Sequence, residues 1–166
     1  MENNLSHVLR NEFEDFLAQS SKEDQEVLSS FLRGLREKQK GNYVSYIGSW
    51  LETERRFLDD GTYEVSIPIK PSIMNALNIV HGGVTATLLD TTMGSMVNLS
   101  LPEGQVAVTL DMKVNYIKGG TGNKLRCQGE IISRGNKVCV TEAKVFNDEN
   151  KVIALATGTF YVLPAK

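Results

Sequence analysis

Residues 81–99, HGGVTATLLDTTMGSMVNL, constrain the fold more than any other part of the chain. Drawn as a helix, they place Val84, Ala86, Leu88, Leu89, Met93, Met96, Val97 and Leu99 on almost every side. A helix that is apolar all round is buried, not laid on a surface. Ala86, Gly94 and Ser95 are small and let neighbouring backbone approach closely. The chain has 166 residues, 41% of them hydrophobic. That is enough for one core around this helix, with at most a short appendage.

The segments around the helix read as strands. Residues 46–57 and 62–69 flank Asp59-Asp60-Gly61, which is hairpin-turn chemistry, and Pro71 ends the second of them. Segments 105–118, 124–133, 137–147 and 152–163 are rich in Val, Ile, Thr and aromatic residues. Gly119-Gly120, Arg134-Gly135-Asn136 and Asn147-Asp148-Glu149-Asn150 separate them. Short turns between successive strands predict an antiparallel meander, and one buried helix against it is an α+β arrangement.

Residues 1–42 follow a different pattern. They lack proline and carry an apolar stripe at Leu5, Leu9, Phe13, Phe16 and Leu17, then another at Val27, Leu28, Phe31, Leu32 and Leu35. Ser20–Glu23 and Ser21–Asp24 both have capping-box spacing before the second stripe, and Gly41-Asn42 closes it. The expected organisation is an N-terminal helical extension over 1–42 and a β-rich domain over 43–166. A helical pair this small holds no core alone, so it is expected to pack on the rest or on a partner.

Several functions are disfavoured. No apolar run approaches the roughly 20 residues of a membrane span. The opening MENNLSHVLRNEFEDF has acidic residues where a secretion signal needs a basic start, so a cytoplasmic protein with no membrane partner is expected. His7 and His81 are the only histidines and no Cys-x-x-Cys occurs, which argues against a metal. Cys127 and Cys139 lie in predicted strands and read as buried free thiols. The net charge is −2. Residues 1–45 set Arg10, Lys22, Arg33, Arg36, Lys38 and Lys40 against eight acidic side chains, the wrong sign for a nucleic-acid partner.

The chemistry-bearing residues gather on the central helix. His81-Gly82-Gly83 opens it, where the first N–H groups have no internal partner and sit at the positive end of the dipole. Glycines there either make a tight entry or let a ligand reach the backbone, for instance a carbonyl oxygen turning negative during acyl transfer. Asp90 lies in a mostly apolar stripe, with Thr87 and Thr91 as candidate local partners; the alternative is that it faces a strip of solvent. A buried carboxylate needs hydrogen bonds or a task. Gly82 and Asp90 are eight residues apart, about 12 Å along the axis at ~1.5 Å per residue. If both act on one carbonyl carbon, they come from two copies of the helix, which predicts a dimer with two equivalent sites.

These residues resemble the hot-dog thioesterases, in particular the PaaI-like branch that acts on acyl-CoA. The resemblance covers about 45–163 and rests on Asn75, then His81-Gly82-Gly83, then Asp90 nine residues after the histidine. Asn78 stands where the pattern has a glycine. Val108-Thr109-Leu110-Asp111-Met112 running to Tyr116, and Thr157-Gly158-Thr159-Phe160, are similar to two strands of that branch. The resemblance implies a curved antiparallel sheet wrapped around one long helix, an obligate homodimer, and a homotetramer as a dimer of dimers. It implies hydrolysis of an acyl-CoA to acid and CoA with no cofactor. Gly82 N–H with the Asn75 side chain would polarise the thioester carbonyl, and His81 would support the loop or lie near the thioester. Asp90 of the other subunit would act as general base or as nucleophile, and Thr109 would hold the attacking water. Gly83, Lys118, Gly119, Gly120, Lys124, Arg134 and Lys137 are the candidates for contacting substrate and its nucleotide.

Two rival readings remain: a hot-dog domain that senses acyl-CoA as a regulator without catalysis, and a dehydratase or hydratase on the same fold. The retained Asp90 favours catalysis over sensing. Its nine-residue step from His81 fits a thioesterase better than a hydratase. No Gly-x-Ser-x-Gly is present.

Overall fold

The computed structural model describes residues 2–165 and divides the chain into two compact units, Met1–Trp50 and Leu51–Lys166. In the first, α1 (Glu2–Gln19) and α2 (Lys22–Gln39) follow the two apolar stripes. Of the two capping-box spacings, Ser21–Asp24 is the one used. Asp24 N–H donates to Ser21 Oγ at 3.1 Å, and Ser21 N–H donates to the Asp24 carboxylate at 2.9 Å. Ser20 Oγ donates instead to Leu17 O.

Residues 46–51, expected to begin a strand, form the short helix α3 (Tyr46–Leu51). Ser45 Oγ accepts the Gly48 N–H at 3.1 Å and starts the turn. The Trp50 ring then stacks on Phe31 of α2 at 6.2 Å between centroids. Gly34 gives α3 room, since a Cβ there would lie 2.6 Å from Ser49 O. Aromatic packing on α2 outweighs the strand propensity of Tyr46, Ile47 and Trp50. The first unit therefore reaches Trp50 instead of ending at residue 42.

The second unit is β1 (Glu54–Phe57), β2 (Tyr63–Pro68), a 3-10 turn at Pro71–Ile73, α4 (Gly82–Ser100), β3 (Gln105–Tyr116), β4 (Lys124–Arg134), β5 (Val138–Phe146) and β6 (Val152–Pro164). All pairings are antiparallel, in the order β1-β2-β4-β5-β6-β3, so β1 and β3 are the two edges. The sheet packs on α4 through β2, β3, β4, β5 and β6. Leu88, Leu89, Met93 and Val97 are fully buried beneath it. Each contributes about 1.5–3 kcal/mol of apolar burial. Gly158 of β6 makes room for this helix, because a Cβ there would meet Met93 and Phe160 near 3 Å.

The helix is less uniformly buried than its composition suggests. Leu99 is 62% exposed, and Asp90, Gly94 and Asn98 form a half-open stripe. Both sheet edges curl toward that stripe, so β1 and β3 line one cavity with α4 between them.

Candidate active site

The entry to α4 is built by a closed loop. Asn75 N–H donates to Ile79 O and Asn78 N–H to Asn75 O, both at 2.9 Å, while Asn75 Oδ1 accepts the Leu77 N–H at 2.9 Å. Asn78 takes the left-handed turn with φ 54°, a conformation asparagine tolerates where most side chains do not. The loop thus keeps the glycine-like corner without glycine. His81 N–H then donates to Ile73 O, and Val80 N–H to Gly120 O.

His81 is the N-cap of α4, and its Nδ1 accepts the Gly83 N–H at 2.9 Å. That bond places the proton of the neutral ring on Nε2. His81 O accepts both Val84 N–H at 2.9 Å and Thr85 N–H at 3.1 Å. The Gly82 N–H is left without a protein acceptor among the described residues. It is an uncommitted donor at the positive end of the helix.

Two turns deeper, the half-buried Asp90 is braced from β3. Thr109 Oγ1 donates to Asp90 Oδ1 at 2.8 Å. Of the two candidate local partners on the helix, Thr87 donates its Oγ1 to Gly83 O instead. The contact follows a β-bulge, in which Thr109 pairs with Phe160 and Asp111 with Thr159, leaving Leu110 unpaired between them. Asp90 and Thr109 open onto a cavity of about 760 Å³, whose apolar wall includes Phe57, Tyr63, Val108 and Phe160.

Sequence reasoning missed a second feature of this wall. Arg56, which also lines the cavity, donates through Nε and Nη2 to Glu64 Oε1. The Glu64 side chain is only 2% exposed and also accepts from Arg126 at 3.2 Å and Gln128 at 2.9 Å. Burial works to raise its carboxyl. The bonds from Gln128 and Arg56 and the charges of Arg56 and Arg126 outweigh that and hold it below the usual carboxylate range. The expected Asp59–Gly61 turn contained the signal, since its register sets Arg56 opposite Glu64.

The pattern that defines the thioesterase superfamily matches residues 77–154. The BH2602 protein of Bacillus halodurans, solved with CoA, is 44% identical and superposes with a TM-score of 0.86 over 92% of this chain and 99% of that one. The chain belongs to the thioesterase superfamily. Its six-stranded sheet and central helix are the hot-dog fold. The medium/long-chain acyl-CoA thioesterase YigI of Escherichia coli is 30% identical over 100 residues, spanning 52% of this chain and 64% of YigI's length. The PaaI protein of E. coli, at 17% identity and a TM-score of 0.68 over 82% of this chain and 98% of its own, shares the fold.

Within this thioesterase-superfamily chain, the candidate residues fall into separate groups. His81, Gly82 and Gly83 form the mouth of α4, Asn75 shapes the loop that leads into it, and Asp90 and Thr109 meet farther along the helix. The helix runs unbroken from Gly82 to Ser100, so the two groups stay about 12 Å apart along its axis. Gly119 and Gly120 lie against Ile79 and Val80, whose side chains stand 3.1 Å from where their Cβ atoms would be. Those glycines let the loop after β3 support the mouth of α4. Lys118 N–H donates to Ile153 O beside them. Lys124 opens β4, whereas Arg134 closes it and Lys137 follows in the hairpin. Ten residues at ~3.3 Å each put the two ends roughly 33 Å apart, so the basic candidates cannot all hold one nucleotide on one chain.

Other nucleophiles fare poorly. Cys127 is fully buried, and desolvation pushes its thiol up to about 12. Among the described residues, no group of three or more His, Cys, Asp or Glu side chains is placed to hold a metal ion. No helix among them is long and apolar enough to cross a membrane.

Proposed function

We propose that the protein is an acyl-CoA thioesterase acting as a homodimer, with each site made of the Gly82 end of one protomer and Asp90 of its partner. The observation that carries this reading is the Asp90–Thr109 pair facing a cavity with an apolar wall, on the same rigid helix as an uncommitted Gly82 N–H yet out of its reach. Two helices running antiparallel about a two-fold axis join acid and donor twice. The β3 edge supports such a partnership. Val108, Leu110 and Tyr116 on it are exposed, and an apolar open edge is a surface that a second copy can cover.

In this scheme the thioester oxygen lies against the Gly82 N–H and the Asn75 amide, which stabilise the charge that develops there. Thr109 commits its proton to Asp90, so its oxygen can accept a hydrogen bond from water. Asp90 takes the other water proton as that water attacks the carbonyl carbon. The C–S bond then breaks, and the sulfur leaves with the proton Asp90 had accepted. Acid and CoA are the products, with no metal or cofactor required. His81 keeps Gly83 occupied and thereby leaves Gly82 as the donor. The CoA seen with BH2602 and the acyl-CoA activity in YigI's name support the substrate class. Two unpaired buried cysteines suit a cytoplasmic setting.

Thiol release over a panel of acyl-CoAs tests the reading. Wild type is expected to hydrolyse at least one chain-length class. Asp90→Asn should lower kcat by about 10²–10⁴-fold with the dimer intact. A silent panel, or an active Asp90→Asn, contradicts it.

A further inference from the structure

We infer that Tyr116 is a positioning residue that holds the Gly82 donor in line, an inference that rests on the proposed thioesterase site. Gly82 joins two peptide units. In the preceding unit, His81 O is bonded by Val84 N–H and Thr85 N–H, and the Gly82 N–H points away unbonded. In the following unit, both ends are held by side chains. Its carbonyl, Gly82 O, accepts the Tyr116 hydroxyl at 3.0 Å, and its N–H, from Gly83, donates to His81 Nδ1 at 2.9 Å. Gly82 is the first residue of α4, where helical bonding already restrains the chain, but glycine's freedom at a helix terminus leaves the two units residual swing. The Tyr116–Gly82–Gly83–His81 chain removes that swing, and each bond in it polarises the next.

The ring adds a second contact. Tyr116 Cε1 and Cζ lie 3.5 and 3.6 Å from where a Cβ of Gly82 would stand, ordinary packing distance. The ring therefore rests on the face of the residue whose N–H is the proposed oxyanion donor. Tyr116 ends β3, the strand that also carries Thr109. One edge strand thus braces the acid at one point and the donor at another. The loop after it continues the brace through Gly120 O, which accepts the Val80 N–H. The phenol's hydrogen bond goes to Gly82 O, not to Asp90, whose side-chain partner is Thr109, so its effect acts through Gly82.

Tyr116→Phe keeps the ring and removes the hydroxyl, and at 55% exposure the side chain tolerates the change. Loss of one neutral hydrogen bond that matters in the transition state should lower kcat about three- to ten-fold. KM and free-CoA inhibition should stay at wild-type values. A trifluoromethyl-ketone analogue of the acyl-CoA, which presents a tetrahedral oxyanion, should bind weaker by the same factor as kcat falls. Tyr116→Leu, losing ring and hydroxyl, should fall further on both readouts. A Tyr116→Phe enzyme with kcat and analogue affinity within two-fold of wild type overturns the inference. So does a loss that falls equally on free CoA. Asp90→Asn assayed alongside separates the two failures. If it stays active, the site reading falls and takes this inference with it. If it is inactive while Tyr116→Phe is unaltered, only the role of Tyr116 is wrong.

Discussion

Thr109→Val offers the sharpest single-residue probe of the acid. Valine matches threonine in shape and suits an edge strand, so the exchange removes the 2.8 Å bond to Asp90 Oδ1 and little else. Hydrogen bonds to a charged acceptor are worth about 1.5–3 kcal/mol. Asp90 is half-buried, so water partly replaces the lost donor and the lower part of that range applies. A loss of ~1.5–2 kcal/mol at the transition state corresponds to a kcat about 10–30-fold below wild type. Thr109→Ser, which keeps the hydroxyl, should recover most of it. Thiol release at saturating acyl-CoA measures kcat, and urea unfolding of the same samples should show stability lowered by no more than about 1.5–2 kcal/mol, since the same bond is lost from the resting fold. A Thr109→Val enzyme turning over at the wild-type rate would refute the argument that the hydroxyl and Asp90 act as a pair.

Two further predictions concern the frame around the site. Glu64→Gln strands Arg126, whose side chain is 20% exposed, and frees the mostly exposed Arg56, so stability at pH 7 should fall by about 2–3 kcal/mol in urea unfolding. Because the folded Glu64 carboxyl sits below its usual 4.5, the stabilisation is present above that pH and is lost as pH falls through the folded value; the gap between wild type and variant should therefore be wide at neutral pH and narrow in acid. A gap independent of pH would contradict the ion-pair account. Asn78→Ala forces a Cβ-bearing residue without a compensating amide into φ 54° and should cost about 1 kcal/mol, whereas Asn78→Gly should be neutral or stabilising by urea midpoint.

Much of this fold was legible because its signals are local. The five strands from β2 to β6 lie where β-branched and aromatic residues run between Gly, Asn and Asp turns, and α4 begins at the His81-Gly82-Gly83 entry. Tyr46–Leu51 misled because its aromatics satisfy a helix packed on Phe31 as well as they satisfy a strand, and only the tertiary contact decides. The mouth of α4 and the position of Asp90 could be read from spacing. The partner of Asp90 could not, since Thr109 reaches it across 19 residues through a bulge that no periodicity announces. Tyr116 was visible as part of a strand motif, but its bond to Gly82 exists only once β3 lies beside the start of α4. The Arg56–Glu64–Arg126 network likewise depends on three strands in register.

Whether donor and acid meet across the two-fold is decided by complementation between two inactive variants. Gly82→Pro removes the N–H while suiting the first helical position. His81 at φ −58°, ψ 134° already has the backbone that a residue before proline adopts, and a Cβ at position 82 would stand 3.5 Å from the nearest Tyr116 atom, an ordinary contact. Asp90→Ala removes the acid. Each homodimer should be inactive. An equimolar mixture, denatured and refolded together so that protomers exchange, forms heterodimers holding one intact site of two. The mixture is expected to recover about a quarter of wild-type activity. No recovery in a mixture shown by mass spectrometry to contain heterodimers would place both groups in one protomer and contradict the account.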